Sequence, residues 1–203
     1  GIINGIGHYW GYRNFEAADA STNVSPWGII IGGEELHNNH HTYPTSAKLS
    51  VKPWEFDMGW AWIQLFSFFG LAKVQRVAPI AHRVAGKGNL DMDTAMAILN
   101  NRFQIMAQYR KLVIGPLVKQ ELAKADASVR HHFRRAKALL SRETSLLDES
   151  HQARIQRLLE ESQALKVIYE KRIALQQIWV KTSSNGHEML DAIKQWVSDA
   201  EAS

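Results

Sequence analysis

Apolar residues in the second part of this chain recur three or four positions apart, which is the period of amphipathic α-helices. The longest such stretch covers residues 150–181, where apolar residues from Ile155 to Trp179 fall near one helical face. The pattern predicts helices over four stretches: residues 91–113, 117–140, 150–181 and 188–201. We therefore expect a long helical hairpin or coiled-coil-like tail.

Capping and breaking residues mark the helix boundaries in this part. Asp91 or Asp93 is the expected N-cap of the first helix, because a carboxylate accepts hydrogen bonds from the free N–H groups of a first turn. The pair Gly115-Pro116 is expected to break the helix. The segment SRETSLLDES supplies further capping residues, and TSSNGHE is predicted as a turn.

The first part of the chain has shorter apolar and aromatic stretches with loops between them. GIINGIGHYWGYRNF is predicted as a helix end that runs into a loop at Gly11. WGIIIGGEELHNNHHTYP is predicted as a helix that stops before Pro44, with a strand over GIIIGG as the alternative. The charge-free run GWAWIQLFSFFGLA, residues 59–72, suits a buried helix or a helix lying in a bilayer interface.

Composition supports a globular chain with two differently charged parts. Hydrophobic residues make up 45% of the 203, and the net charge of +4 comes from the second part. The absence of cysteine excludes disulfides, thiolate metal sites and cysteine catalysis. The glycines of AGKGN, residues 85–89, predict a hinge. We expect an all-α protein that divides into residues 1–84 and 85–203.

Both ends of the sequence favour a fragment of a longer chain. GIINGIGHYWG has no initiator Met, no basic region and no cleavage site, so it is not a signal peptide. WVSDAEAS stops within a helical pattern without a cap.

The strongest candidate chemistry is the cluster of histidines in EELHNNHHTYP, residues 34–44. On a helix, His37, His40 and His41 occupy positions i, i+3 and i+4 and share a face. Two of them could bind one metal ion, or all three could serve two adjacent ions. Neutral imidazole is a common ligand for iron, zinc and copper. The alternative is a polar, partly exposed helix end.

Residues around this cluster could support the metal. Glu34 lies one turn before His37 and could orient its imidazole, although a solvated helix face explains Glu34 equally well. Asn4 and His8 share a helical face further upstream, where a lone histidine would usually be a satisfied core residue. Asparagines stand where the zinc-hydrolase motif H-E-x-x-H has its glutamate, so no general base is supplied there.

The other motifs are weaker indications of function. RHHFRR, residues 130–135, could suggest nucleic-acid binding, but a solvated basic helix face is the preferred interpretation. The sequence contains no phosphate-binding P-loop, no G-x-S-x-G and no G-x-G-x-x-G motif.

Two of these segments together resemble the membrane fatty acid desaturases, in particular the stearoyl-CoA desaturase type of the acyl-CoA branch. The final histidine box of that branch reads G-E-x-x-H-N-x-H-H-x-x-P, and an N-x-x-x-H-x-x-G segment precedes it. The upstream segment matches Asn4, His8 and Gly11. The box matches Gly33, Glu34, His37, Asn38, His40, His41 and Pro44.

The resemblance implies an oxidoreductase of lipid metabolism that uses O2 and a histidine-ligated di-iron centre to introduce a double bond into a long-chain acyl group. It implies His8, His37, His40 and His41 as iron ligands, with no catalytic residue beyond them. Asn4 would contact an iron ion through a water molecule, and Glu34 would hydrogen-bond a histidine ligand. It also implies an acyl-CoA or acyl-lipid substrate and a separate electron donor of the ferredoxin or cytochrome b5 type.

The resemblance further implies a location in the bacterial inner membrane, with the active site on the cytoplasmic side and no nucleic-acid partner. The family's first two histidine boxes have no counterpart in the 203 residues. We therefore expect the last portion of a desaturase, inactive alone. The alternatives are a sister histidine-box lipid hydroxylase and a helical interaction protein with a vestigial metal motif.

The tail resembles the helical tails of proteobacterial desaturases. Its last part, LQQIWVKTSSNGHEMLDAIKQWVSDAEAS, also resembles the C-terminal helices of some insertion-sequence transposases. Because no catalytic carboxylate triad is apparent, we interpret that second likeness as a shared helical module.

Overall fold

The computed structural model describes residues 5–79, 90–127, 129–181 and 186–202. The chain is mostly helical, which confirms the all-α prediction. It forms two compact units, residues 1–80 and 81–203. The predicted hinge at residues 85–89 lies outside the described residues.

The first unit contains little regular structure. Strand β1 (Trp27–Gly28) pairs in parallel with strand β2 (Phe56–Asp57). Helix α1 (His37–Thr42) follows β1, and helix α2 (Met58–Phe68) follows β2. The segments between them are held by turns and side-chain hydrogen bonds.

The helix predicted over WGIIIGGEELHNNHHTYP is wrong in its first half, because α1 begins only at His37. Gly32 and Gly33 take positive φ angles of 65° and 102°, which helices exclude. The buried Glu35 carboxylate accepts hydrogen bonds from the backbone N–H groups of Ile30 and Ile31, at 2.7 and 3.1 Å, and so stabilises the turn. The predicted stop before Pro44 is confirmed.

Helix α2 has no buried residue, and its side chains are either half-buried or exposed. Asp57 caps it by accepting a hydrogen bond from the backbone N–H of Trp60 at 2.9 Å. None of the residues of α2 is buried, and the Phe68 side chain is 83% exposed. Of the two alternatives for residues 59–72, the buried helix is therefore wrong, and the helix lying in a bilayer interface stays a prediction. Among the described residues, no helix combines the length and the apolar character needed to cross a membrane.

The second unit is built almost wholly of helices, and Asp91 caps the first of them, as predicted. The elements are α3 (Met92–Asn100), α4 (Arg102–Tyr109), a π-helix (Arg110–Ile114), α5 (Gly115–Lys124), α6 (Ala136–Ser141), a 3-10 helix (Thr144–Leu146), α7 (Glu149–Glu161), α8 (Gln163–Lys181) and α9 (Gly186–Glu201). Asp148 caps α7 through the backbone N–H of His151.

Two apolar clusters stabilise this unit. The larger joins the π-helix, α5, α6, α7 and the start of α8 around side chains that include Ile114, Leu140 and Leu158. The smaller joins α3 to α9 through Ala95, Met189 and Ile193. Apolar burial at helical spacing is the main stabilising contribution here.

Four boundary predictions for this unit are wrong, and the first concerns the stretch 91–113, which is interrupted at Asn101. The helix does not break at Gly115-Pro116, because the preceding π-helix widens the turn and the N–H of Gly115 bonds to the carbonyl of Arg110. Pro116 then falls in a first turn, where its missing N–H costs little. The stretch 117–140 leaves the helix after Lys124, and the stretch 150–181 is interrupted at Ser162.

Candidate metal centre

Three histidine side chains converge in the first unit. Ring nitrogens of His8, His37 and His41 all lie within 4.8 Å of one another. The ring centroid of His8 is 5.2 Å from those of His37 and His41, which are 4.2 Å apart. His37 is buried, and the other two are half-buried. Within the described part of the chain, this is the only such group of three potential ligands.

The other residues indicated by the sequence lie outside this group. The His40 ring centroid is 6.3 Å from that of His37 and 5.7 Å from that of His41. A Glu34 oxygen lies 3.9 Å from Nδ1 of His37, which is longer than a hydrogen bond. Asn4 lies outside the described residues. The roles of His40, Glu34 and Asn4 remain predictions.

Asn38, the first of two asparagines between the histidines, anchors α1 to an upstream loop. Its Oδ1 accepts hydrogen bonds from the backbone N–H groups of Asn14 and Phe15, at 2.9 and 3.0 Å. Its Nδ2 donates to the carbonyl of Phe15 at 3.0 Å. The side chain is fully buried, so these bonds are shielded from water.

Asn39 links α1 to segments on both sides of it. Its Oδ1 accepts from the Nδ2 atoms of Asn14 and Asn23, at 2.8 and 3.2 Å. Its Nδ2 donates to the carbonyl of Leu49 and to Oε2 of Glu55, at 2.9 Å each. Asn38, which stands at the glutamate position of a zinc-hydrolase motif, and the adjacent Asn39 therefore fix the position of the histidine helix.

His8 comes from a helical turn that an adjacent segment holds in place. The hydroxyl of Thr22 donates to the carbonyl of Gly7 at 3.0 Å. Gly11 ends the turn with a φ of 144°, and a Cβ there would collide with the backbone of Asn23. Only glycine allows this close approach, which brings His8 towards α1.

Asp19 is a site residue that the sequence analysis missed. Its Oδ2 lies 2.5 Å from Nδ1 of His41, and its Oδ1 accepts from the hydroxyl and the backbone N–H of Ser21, at 2.5 and 3.0 Å. Arg13 donates to the carbonyl of Asp19 at 2.9 Å and so fixes the loop. Asp19 and His41 are too far apart in the sequence for any spacing rule to connect them. The sequence held one indication of such a residue, because a metal-ligating histidine is usually paired with a carboxylate.

The environment adjusts the charges of two of these groups. Burial raises the pKa of Asp19, but the hydrogen bonds from Ser21 and the contact with His41 outweigh it and lower this pKa to about 2. Burial lowers the pKa of His37, and the neighbouring His41 and His8 lower it further. The lowered pKa favours the neutral form of His37, which is the form that binds metals.

These donors fit a divalent transition-metal ion. The set consists of imidazoles, which suit zinc, copper, iron and nickel. Because Asp19 engages Nδ1 of His41, Nε2 of that ring is the nitrogen available to a metal. The compact spacing of the three rings allows them to share one ion.

Comparisons with known proteins give two kinds of match. A transposase family of the ISL3 group matches residues 93–203, more than half of the chain. The resemblance noted in the last helices therefore extends over most of the second unit, and the likeness to desaturase tails gains no support. No solved structure matches.

Known desaturases match a smaller share of the chain. The sn-2 palmitoyl-lipid 9-desaturase of Nostoc sp. (strain 36) is 48% identical over 72 residues, which is 36% of this chain and 25% of that protein. The sn-1 stearoyl-lipid 9-desaturase of Anabaena variabilis is 38% identical over 77 residues, 38% of this chain and 28% of that protein.

Delta-9 acyl-lipid desaturase 2 of Arabidopsis thaliana is 35% identical over 82 residues, 40% of this chain and 27% of that protein. The chain thus spans about a quarter of the length of these relatives. The matches support a relationship with the desaturases.

Proposed function

The chain belongs, through residues 93–203, to the ISL3 group of the transposase family, and we propose that residues 1–80 are a separate metal-binding unit of the acyl-lipid desaturase type. The desaturase matches cover 71 to 82 residues, close to the size of the first unit. The convergence of His8 with His37 and His41 is the observation that carries the proposal.

In this proposal His8, His37 and His41 would hold one iron ion, and His40 would bind a second. Bound iron would supply, with O2, the oxidation that removes two hydrogens from an unactivated acyl chain. Imidazole ligands suit iron, and the burial of His37 fits a site that excludes water.

The residues around the ligands have positioning roles. Asp19 holds a proton on Nδ1 of His41 and so keeps Nε2 free for the metal. Asn38 and Asn39 fix the helix that carries the ligands. We assign Glu34 to orienting His37, and Asn4 to a contact through water.

The described residues bring too few ligands together for two iron ions. We therefore expect this chain to be inactive alone and to need further histidines for desaturation. The names of the relatives favour an acyl-lipid over an acyl-CoA substrate. We expect a separate electron donor, of the ferredoxin or cytochrome b5 type, and a membrane location with the site on the cytoplasmic side.

Metal titration of the full chain tests the site. We expect one Co²⁺ ion, used as a spectroscopic probe, to bind weakly, and we expect His8→Ala, His37→Ala and His41→Ala each to lower its affinity. His187→Ala in the second unit is the matched control. Unchanged affinity in all three variants would refute the site. Two tightly bound iron ions per chain would contradict the incomplete ligand set.

A hydroxylase is the alternative within the same chemistry. Fatty acid analysis of cells that express a gene containing this unit with its missing histidine boxes separates the two activities. New double bonds support desaturation, whereas hydroxylated chains without double bonds would exclude it.

For the second unit we propose a helical, non-catalytic part of a transposase. The family match favours this assignment. Two of its acidic residues are engaged in local contacts: Glu121 with Ser162 and Lys124, and Glu161 with His132. We expect no Mg²⁺-dependent DNA cleavage by the full chain, and cleavage that co-purifies with it through successive columns would contradict this proposal.

A further inference from the structure

The basic segment RHHFRR, residues 130–135, lies in turns rather than in the helix expected from the sequence. Backbone hydrogen bonds from Arg130 to Asp126 and from His132 to Val129, at 2.9 and 2.8 Å, hold these turns. Phe133 is only 5% exposed and anchors the segment in the larger apolar cluster. The basic side chains on either side of it are therefore displayed from a fixed backbone.

This segment and α7 together form a cleft of about 220 Å³. Its lining consists of His131, His132, Arg154 and Arg157. The two arginines are three residues apart and share a face of α7. The two imidazole rings lie with their centroids 3.9 Å apart. Every lining side chain is a cation or can become one.

Two contacts fix the walls of the cleft. Arg154 donates through Nη2 to the carbonyl of Arg134 at 3.2 Å, which ties α7 to the turn segment. Nδ1 of His132 lies 2.5 Å from Oε1 of Glu161. Glu161 offsets part of the positive charge at His132, and the two arginines keep the cleft basic.

We propose that this cleft binds a phosphate group. Arginine presents planar, paired N–H donors that match the oxygens of phosphate, and two arginines with two histidines supply donors from two walls. An anion also relieves the repulsion among cationic groups that face one another. The exposed Arg130, Arg134 and Arg135 extend the positive charge beyond the cleft.

The phosphate could be free or part of a nucleic-acid backbone, and two probes distinguish these sources. Calorimetry with inorganic phosphate measures the cleft alone. Fluorescence anisotropy with a short labelled oligonucleotide measures backbone binding, which should weaken as salt rises. Binding of either probe through the cleft supports the proposal, and which probe binds more tightly identifies the source. Failure of both to bind overturns it.

Variants of the full chain test the cleft directly. We expect Arg154→Gln and Arg157→Gln each to weaken binding about tenfold, because a hydrogen bond to a charged group is lost. Arg157→Lys should recover part of the affinity, since it keeps the charge without the paired donors. Lys119→Gln removes one exposed charge from α5 and should leave affinity unchanged.

An equal loss in Lys119→Gln would attribute binding to net charge and overturn the assignment to the cleft. Circular dichroism of each variant confirms the helical fold. The proposal concerns only the second unit, so failure of the metal site would not affect it.

Discussion

The two units bury opposite kinds of side chain. In the first unit, polar residues outnumber apolar ones among the buried residues that the structure describes, and Asn23, Asn38, Asn39, Glu55 and Asp57 are among them. In the second unit, most of the described buried residues are apolar, as in the cluster around Leu140 and Leu158. Large exposed hydrophobic residues are concentrated in the first unit.

This difference illustrates two ways in which a sequence specifies a structure. Apolar burial is non-directional, so a helical repeat is sufficient to indicate which faces pack together in the second unit. Hydrogen bonds are directional and costly to leave unmade when buried, so the network in the first unit fixes individual side chains. A metal site needs that precision, because its ligands must meet at one point.

The largest expected effect is in the apolar core of the second unit. Leu158 is fully buried, and we expect Leu158→Ala to lower the free energy of unfolding by about 2–5 kcal/mol because it leaves a cavity. Urea unfolding followed by the helical circular dichroism signal measures this. Leu112→Ala, at a position 59% exposed, is the control and should change little. Equal effects in both variants would refute the core assignment.

The polar network of the first unit should respond to the loss of one amide. Asn39→Leu retains the volume but removes the bonds to Leu49 and Glu55, and we expect a loss of about 1–3 kcal/mol. Faster exchange of backbone amide hydrogens in the first unit alone would show that the destabilisation is confined to that unit. Asn100→Leu, on an exposed surface of α3, is the control. An unchanged exchange rate would show that the network does not hold α1.

The contact between Asp19 and His41 should affect metal affinity more than stability. We expect Asp19→Asn to lower Co²⁺ affinity by about 10–100-fold, because the carboxylate no longer fixes the ring. Glu34→Gln is the matched comparison and should have the smaller effect, since its oxygen is 3.9 Å from His37. A larger loss of Co²⁺ affinity in Glu34→Gln than in Asp19→Asn would assign the orienting role to Glu34.

The exposed aromatic residues should have the smallest effect on folding. Phe68 is 83% exposed, and we expect Phe68→Ser to change the free energy of unfolding by less than about 0.5 kcal/mol. Phe15→Ser, at a position 2% exposed, should greatly destabilise the same unit. Chemical denaturation monitored by tryptophan fluorescence compares the two. A large loss in Phe68→Ser would mean that α2 packs against the unit.

The sequence predicted those features that depend on neighbouring residues. Helical periodicity identified the helices of the second unit, and the N-cap at Asp91 was correctly expected. Predictions failed where side chains alter the backbone locally. Ser162 ends α7 and accepts a hydrogen bond from the backbone N–H of Leu165, and the π-helix before Pro116 allows the helix to continue.

The sequence by itself determined the all-α class and identified the histidines that could bind a metal, because period and motif are local properties. Only the tertiary structure decided that His8 joins His37 and His41 while His40 lies apart, and that Asp19 faces His41. The physical reason is that these positions depend on buried hydrogen bonds between distant segments. No spacing along the chain encodes them.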